Sequence, residues 1–176
     1  MSLRPFQLAD AAEVQHLAGD WAIADTTLNV PHPYEDGMAE TWIRSLGDGF
    51  HSGTVATFAM TLSKSHDLIG AVGLRFEKGG NSAELGYWVG RPFWGVGYAT
   101  EATIAILQYG FQELEFETIG ASHLARNPAS GRVMEKAGMK FELTKPAGAM
   151  KWGKPEDIVR FHAKRNSWRS PKNQSQ

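Results

Sequence analysis

The stretch from Glu84 to Ala102, ELGYWVGRPFWGVGYATEA, constrains this 176-residue chain more than any other. It begins as an apolar, aromatic run suited to a strand, passes through Gly90, Gly95 and Gly97, and ends in residues that continue a helical pattern to Leu114. Glycines at 95 and 97 remove the Cβ atoms that would keep a ligand off the backbone. Free amides at a helix start, with the helix dipole behind them, form a place for a phosphate or pyrophosphate. The segment is not a Walker loop, because no Gly-Lys-Ser/Thr follows. Nor is it a dinucleotide fingerprint, because its strand stands third in an antiparallel run. A bare Gly-x-Gly equally serves to shape a tight strand-to-helix turn, so the neighbouring residues decide.

Upstream, GTVATFAMTL and DLIGAVGLRF flank the polar SKSH as a hairpin, and EKGGNS turns the chain into AELGYWVG, giving three neighbouring antiparallel strands. LRPFQL reads as a first strand and Asp10 as the cap of a helix to about Leu17. An irregular stretch broken by two prolines follows, then a helix through MAETWIRSLG. YATEATIAILQYGFQEL is apolar around most of its circumference, with Glu101, Gln108 and Gln112 as a narrow polar stripe, so it should be largely buried. TIGASHLA is a fifth strand. NPASGRVMEKAG carries Asn127 as cap, Pro128 in the first turn and Gly138 as stop, and MKFELTK and EDIVRFHAK close the chain as strands. The pattern predicts an α+β fold with one mostly antiparallel mixed sheet of about seven strands and helices on both faces.

The length and a 42% hydrophobic content fit one domain, expected over residues 1–164. Residues 165–176 read as a disordered basic tail. Lys164, Arg165, Arg169 and Lys172 fall in the last thirteen residues. The remainder therefore carries 14 basic and 19 acidic groups, about −5, which argues against a nucleic-acid face. Cysteine is absent, which excludes a disulfide framework, a thiolate nucleophile and Cys-based zinc. The six histidines show no metal-binding spacing. No apolar run is long enough to span a bilayer, and MSLRPFQLADAAEV lacks the order of a signal peptide, so a cytoplasmic location is expected.

Taken together, ELGYWVGRPFWGVGYATEA, NPASGRVMEKAGM and KWGKPEDIVRFHAK resemble the GCN5-related N-acetyltransferases (GNAT), in the branch of the ribosomal-protein N-terminal acetyltransferases. The likeness extends to LRPFQLADAAEV and VPHPYEDGMAETWI. It implies acetyl transfer from acetyl-CoA to a primary amine, without metal or covalent intermediate. The family's Arg/Gln-x-x-Gly-x-Gly/Ala cradle for the coenzyme A pyrophosphate falls on Trp94, Gly95, Val96, Gly97, Tyr98 and Ala99, with Thr100 beside it; Trp94 stands where the general pattern has Arg or Gln.

By the same resemblance, backbone N–H groups around Trp88, Val89 and Gly90 should meet the developing oxyanion. Glu84 is the candidate base, alternatively a solvated strand-end carboxylate. Asn127 and Ser130 form the family's Asn-x-x-Ser. Asn127 should touch the pantetheine arm as well as cap its helix, and Ser130 should assist the leaving thiolate. His32, Tyr34 and Trp42 should line the acceptor side. Tyr87 and its aromatic neighbours are better explained as packing than as a base-stacking platform. The favoured acceptor is the α-amine of a protein or peptide. A small-molecule amine (amino sugar, polyamine or amino acid) and a non-catalytic acetyl-CoA sensor stay open. DNA, membrane and metal are not expected, and a homodimer is admitted.

Overall fold

A computed structural model describes residues 1–171. Seven strands form one sheet: β1 (Ser2–Arg4), β2 (Val55–Thr61), β3 (Leu68–Phe76), β4 (Ser82–Val89), β5 (Thr118–Leu124), β6 (Lys140–Lys151) and β7 (Lys154–Lys164). Their spatial order is β1-β2-β3-β4-β5-β7-β6. Every neighbouring pair is antiparallel except β4 and β5, which run parallel across the helix that joins them.

Alternation along β4 feeds two cores. Ala83 and Leu85 pack with α4 (Tyr98–Gln112) and α5 (Pro128–Lys136), whereas Trp88 packs with α1 (Ala11–Ala18) and α3 (Met38–His51) on the opposite face. Helix α4 buries Ala102, Thr103, Ile104, Ile106, Leu107, Gly110 and Phe111 and leaves Gln108 and Gln112 exposed, so its polar stripe is as narrow as the sequence reads. No helix among the described residues is long and apolar enough to cross a membrane.

Four local features depart from the sequence reading. The first strand stops at Arg4, because Pro5 has no N–H to continue a ladder and Asp10 instead accepts from Gln7 N–H and closes a single 3-10 turn. The stretch expected to be irregular contains a short helix, α2 (Trp21–Thr26), capped by Asp20, whose carboxylate accepts from Ala22 N–H at 2.8 Å. Strand β6 runs on through Pro146, with irregular register between Lys145 and Ala149, which an edge strand tolerates. The body also extends past Lys164: the Trp168 indole packs on Phe111 and donates to Ala137 O at 2.9 Å, so the expected tail cannot begin at 165. Lys172 and the rest of that tail lie outside the described residues.

Candidate active site

Strands β4 and β5 pair only from Ser82 with Thr118 to Leu85 with Ala121; beyond that point they part, β4 staying with β3 and β5 with β7. Gly90 N–H donates to Ile69 O on β3 at 2.8 Å. Strand alternation then turns Trp88 N–H toward β3 as well, and turns the N–H groups of Tyr87 and Val89 into the gap that β5 has left. This narrows the expected oxyanion donors: Gly90 and Trp88 are committed to the ladder, Val89 of the expected set keeps its amide aimed at the opening, and Tyr87 joins it. Val89 O faces the same gap and accepts from the Trp94 indole Nε1. Trp94 therefore occupies a place where a strand partner would stand, which gives a physical reason for an indole at that position.

A cleft of about 890 Å³ opens from this gap along the face that carries α3. Tyr34, Trp42, Glu84, Tyr87, Trp88 and Ser130 are among its lining residues, and residues 26–31, running on from the end of α2, wall its side. Burial pushes the Tyr34 phenol up, reinforced by the nearby Glu40 charge. His32 does not line the cleft. Its ring packs edge-on against Trp21 at 5.0 Å between centroids, and Trp21 stacks in turn on Trp152 of the β6–β7 turn, so the acceptor-side placement of His32 is corrected to an outer rim.

Glu84 lies on the cleft floor with its side chain 20% exposed. Ser122 Oγ donates to Oε1 at 2.9 Å, and Arg160 Nη2 stands 3.9 Å from Oε2. Gly120 makes room for it, since a Cβ there would come within 2.8 Å of Oε2. The carboxylate is thus fixed from two strands rather than waving at a strand end.

Ser130 sits in the first turn of α5 with its Oγ 2.7 Å from Tyr87 Oη. Burial raises the Tyr87 phenol to about 12, although the Ser130 hydrogen bond opposes the rise. Asn127 uses both ends of its amide structurally: Oδ1 accepts from Ser130 N–H at 3.3 Å, and Nδ2 donates to Thr26 O at 3.0 Å, tying α5 to the end of α2.

In the glycine segment, Gly95 and Gly97 adopt left-handed conformations, with φ of 78° and 101°, and a Cβ on either would meet open space. Glu101 N–H is bonded to Gly97 O at 3.0 Å, so the amides of Tyr98, Ala99 and Thr100 precede it as the free first turn of α4. Val96 and Trp94 are exposed there, while the side chains of Tyr98 and Ala99 are partly buried against the core.

Sequence reasoning missed Tyr87 as a polar group of the site, together with Ser122, Arg160 and the buried His123, whose Nδ1 donates to Leu124 O at 2.8 Å. Strand alternation puts Tyr87 and Trp88 on opposite faces, and the structure shows that the Tyr87 face is the one carrying α5. No sequence signal indicated which hydroxyl it would meet.

The model of the acetyltransferase (GNAT) domain matches residues 1–140. The chain is 46% identical to YkkB of Bacillus subtilis over 72 residues, a match covering 41% of this chain and 40% of that protein. It is 27% identical to the N-acetyltransferase p20 of Bacillus licheniformis over 159 residues, covering 85% of this chain and 87% of that one. Among solved structures, the ribosomal-protein-S5-alanine acetyltransferase of Vibrio fischeri superposes with a TM-score of 0.83 at 17% identity, covering 95% of this chain and 94% of the other. The spermidine N-acetyltransferase of Vibrio cholerae, solved in complex with CoA and spermine, superposes with a TM-score of 0.80 at 21% identity, covering 94% and 95%. A sheet that parts between its two parallel strands, a glycine-shaped helix start beside the gap and a domain match over most of the sequence converge on one conclusion: the chain belongs to the GNAT acetyltransferase family and is an acetyl-transferring enzyme.

Proposed function

We propose that this enzyme transfers the acetyl group of acetyl-CoA directly to an α-amino group of a protein or peptide, in a ternary complex. The amides of Tyr98, Ala99 and Thr100 would hold the pyrophosphate beside Gly95 and Gly97, and the N–H groups of Tyr87 and Val89 would receive the thioester carbonyl oxygen as it gains charge. Glu84, steadied by Ser122, would take the amine proton through water. An α-amine has an ordinary pKa of about 7.7–8.0 against about 10.4 for lysine, so a carboxylate and water suffice as its base.

The observation that favours an α-amine is the charge of the cleft. Among the described residues, its lining includes Asp36 and Glu84 as acids and Arg75 and His123 as bases, and Asp36 already accepts from Gln15. Such a wall suits one ammonium on an otherwise neutral body. A polyamine, with several cations, would leave charges without carboxylate partners.

The test is release of free thiol from acetyl-CoA in the presence of peptides beginning Ser, Ala or Met, alongside spermidine and an amino sugar. Turnover with the peptides and little with spermidine is expected. Preferential turnover of spermidine or the amino sugar would replace the acceptor assignment, and acetyl-CoA binding without thiol release for any amine would replace catalysis by sensing.

A further inference from the structure

We infer that Tyr87 is a positioning residue for the leaving group, holding the Ser130 hydroxyl so that its proton faces the departing sulfur. This rests on the acetyl-transfer reading given above. Tyr87 and Ser130 are 43 residues apart, on β4 and α5, and are brought to a 2.7 Å hydroxyl-to-hydroxyl contact at the wall of the cleft. A serine in the first turn of a helix ordinarily turns its hydroxyl back onto the helix's own backbone. Here the Ser130 oxygen is engaged by a phenol from the sheet instead.

The direction of that hydrogen bond follows from acidity. A phenol is a far better donor than an aliphatic hydroxyl and a poorer acceptor, so we assign Tyr87 as donor and Ser130 as acceptor while both are neutral, the bond reversing only if the phenol were to ionise. Serine has a single proton. Once its oxygen accepts from Tyr87, that proton is free to point into the cleft, and the bond it makes there is strengthened by the bond it receives. With its phenol raised to about 12, Tyr87 stays protonated through the working range.

Proton accounting limits the role to hydrogen bonding. A thiol titrates near about 8.5, so a thiolate is too weak a base to strip a buried phenol. In the step itself the amine nitrogen bonds to the carbonyl carbon and the carbon–sulfur bond breaks with its electron pair on sulfur. The sulfur accepts the Ser130 hydrogen bond, and the proton lost by the nitrogen, carried by water and Glu84, is the one that converts thiolate to thiol. Tyr87 and Ser130 keep their own protons throughout. The other ionisable groups that line this cavity besides Tyr34 and Tyr87 are Asp36, Arg75, Glu84 and His123, and none is altered in the test.

The experiment binds free CoA to the wild type, Ser130→Ala, Tyr87→Phe and the double variant, and titrates the bound thiol by its thiolate absorbance, which needs no acceptor amine. Tyr87→Phe should raise the thiol pKa by about 0.3–0.5 unit, a two- to three-fold loss of acidity and of affinity for the thiolate form, with affinity for the thiol form of CoA unchanged. In the Ser130→Ala background the same change should have no effect. An equal shift in both backgrounds, or none in either, overturns the inference and makes Tyr87 a packing residue. Should Tyr87→Phe fail to fold, a fluorotyrosine at position 87 keeps the shape and strengthens the donor, and must lower the thiol pKa instead. Failure of all four proteins to bind CoA has a different signature and overturns the cofactor reading beneath it.

Discussion

Glu84 reaches the cleft floor because Gly120 beside it has no side chain, and Ser122, two residues further along β5, donates to its Oε1. Two predictions follow at this scale. Glu84→Gln keeps the shape and removes the proposed base, so kcat/KM should fall at neutral pH, and with the proposed α-amine acceptor the deficit should shrink as pH rises past about 7.7–8.0, where the amine is already deprotonated. Steady-state constants measured from about pH 6 to about pH 9.5 check this; a pH-independent deficit confined to KM would make Glu84 a binder of the cationic acceptor instead. Gly120→Ala adds a methyl that must push Oε2 from a 2.8 Å approach, so it should reproduce much of the Glu84→Gln loss while the charge remains. Full activity in that variant would show that the carboxylate's placement does not matter.

Helices α4 and α5 show how much a sequence discloses about elements. The glycines at 95 and 97, the narrow polar stripe and the Asn-Pro start were legible because they are local devices, fixed by backbone conformation and helical period. The short α2 was not: six residues carry too little periodicity to distinguish from a loop. The free amides of β4 were read only by resemblance, as a span that included Val89 but also Trp88 and Gly90 and stopped short of Tyr87, because hydrogen-bond direction depends on register with β3. Contacts such as Tyr87 with Ser130 and Glu84 with Ser122 join residues 43 and 38 apart, and no local pattern specifies them. At the same scale, Gly97→Val places a branched side chain at a φ of 101° in the helix start, so CoA binding measured by calorimetry should collapse while the far-ultraviolet spectrum persists. In α5, Gly131→Ala would ordinarily stabilise a helix by about 0.5–1 kcal/mol. Here the new methyl would stand 2.9 Å from His123 Nε2 in a buried ring, so thermal unfolding should show a net loss against the wild type, whereas in a His123→Ala background the same change should give a gain over His123→Ala alone.

For the molecule as a whole, the first strand is held by an ion pair: Arg4 reaches Asp10 through both terminal nitrogens, at 2.6 and 2.8 Å. That hydrogen bonding lowers the Asp10 pKa below its ordinary 3.8 against the opposing effect of burial. A carboxylate depressed on folding stabilises the native state above its unfolded pKa and loses that contribution as pH falls from about 3.8 through the lowered folded value. Asp10→Asn should therefore unfold more readily at neutral pH, by about 1 kcal/mol, and match the wild type once both are well below that range. Urea midpoints at neutral and strongly acidic pH test the sign.

The amides of Tyr87 and Val89 belong to the main chain, and this has a consequence for how such an enzyme can change over generations. Every residue type except proline carries the same N–H, so the donor pair is indifferent to the side chains mounted above it. Substitution at 87 or 89 can remodel the pocket without disarming the proposed oxyanion donors, and only proline, or a shift that let β5 close the gap, would delete one. The chemistry is inherited as a shape of the sheet, which leaves the acceptor wall free to drift toward new amines while the reacting carbonyl stays held.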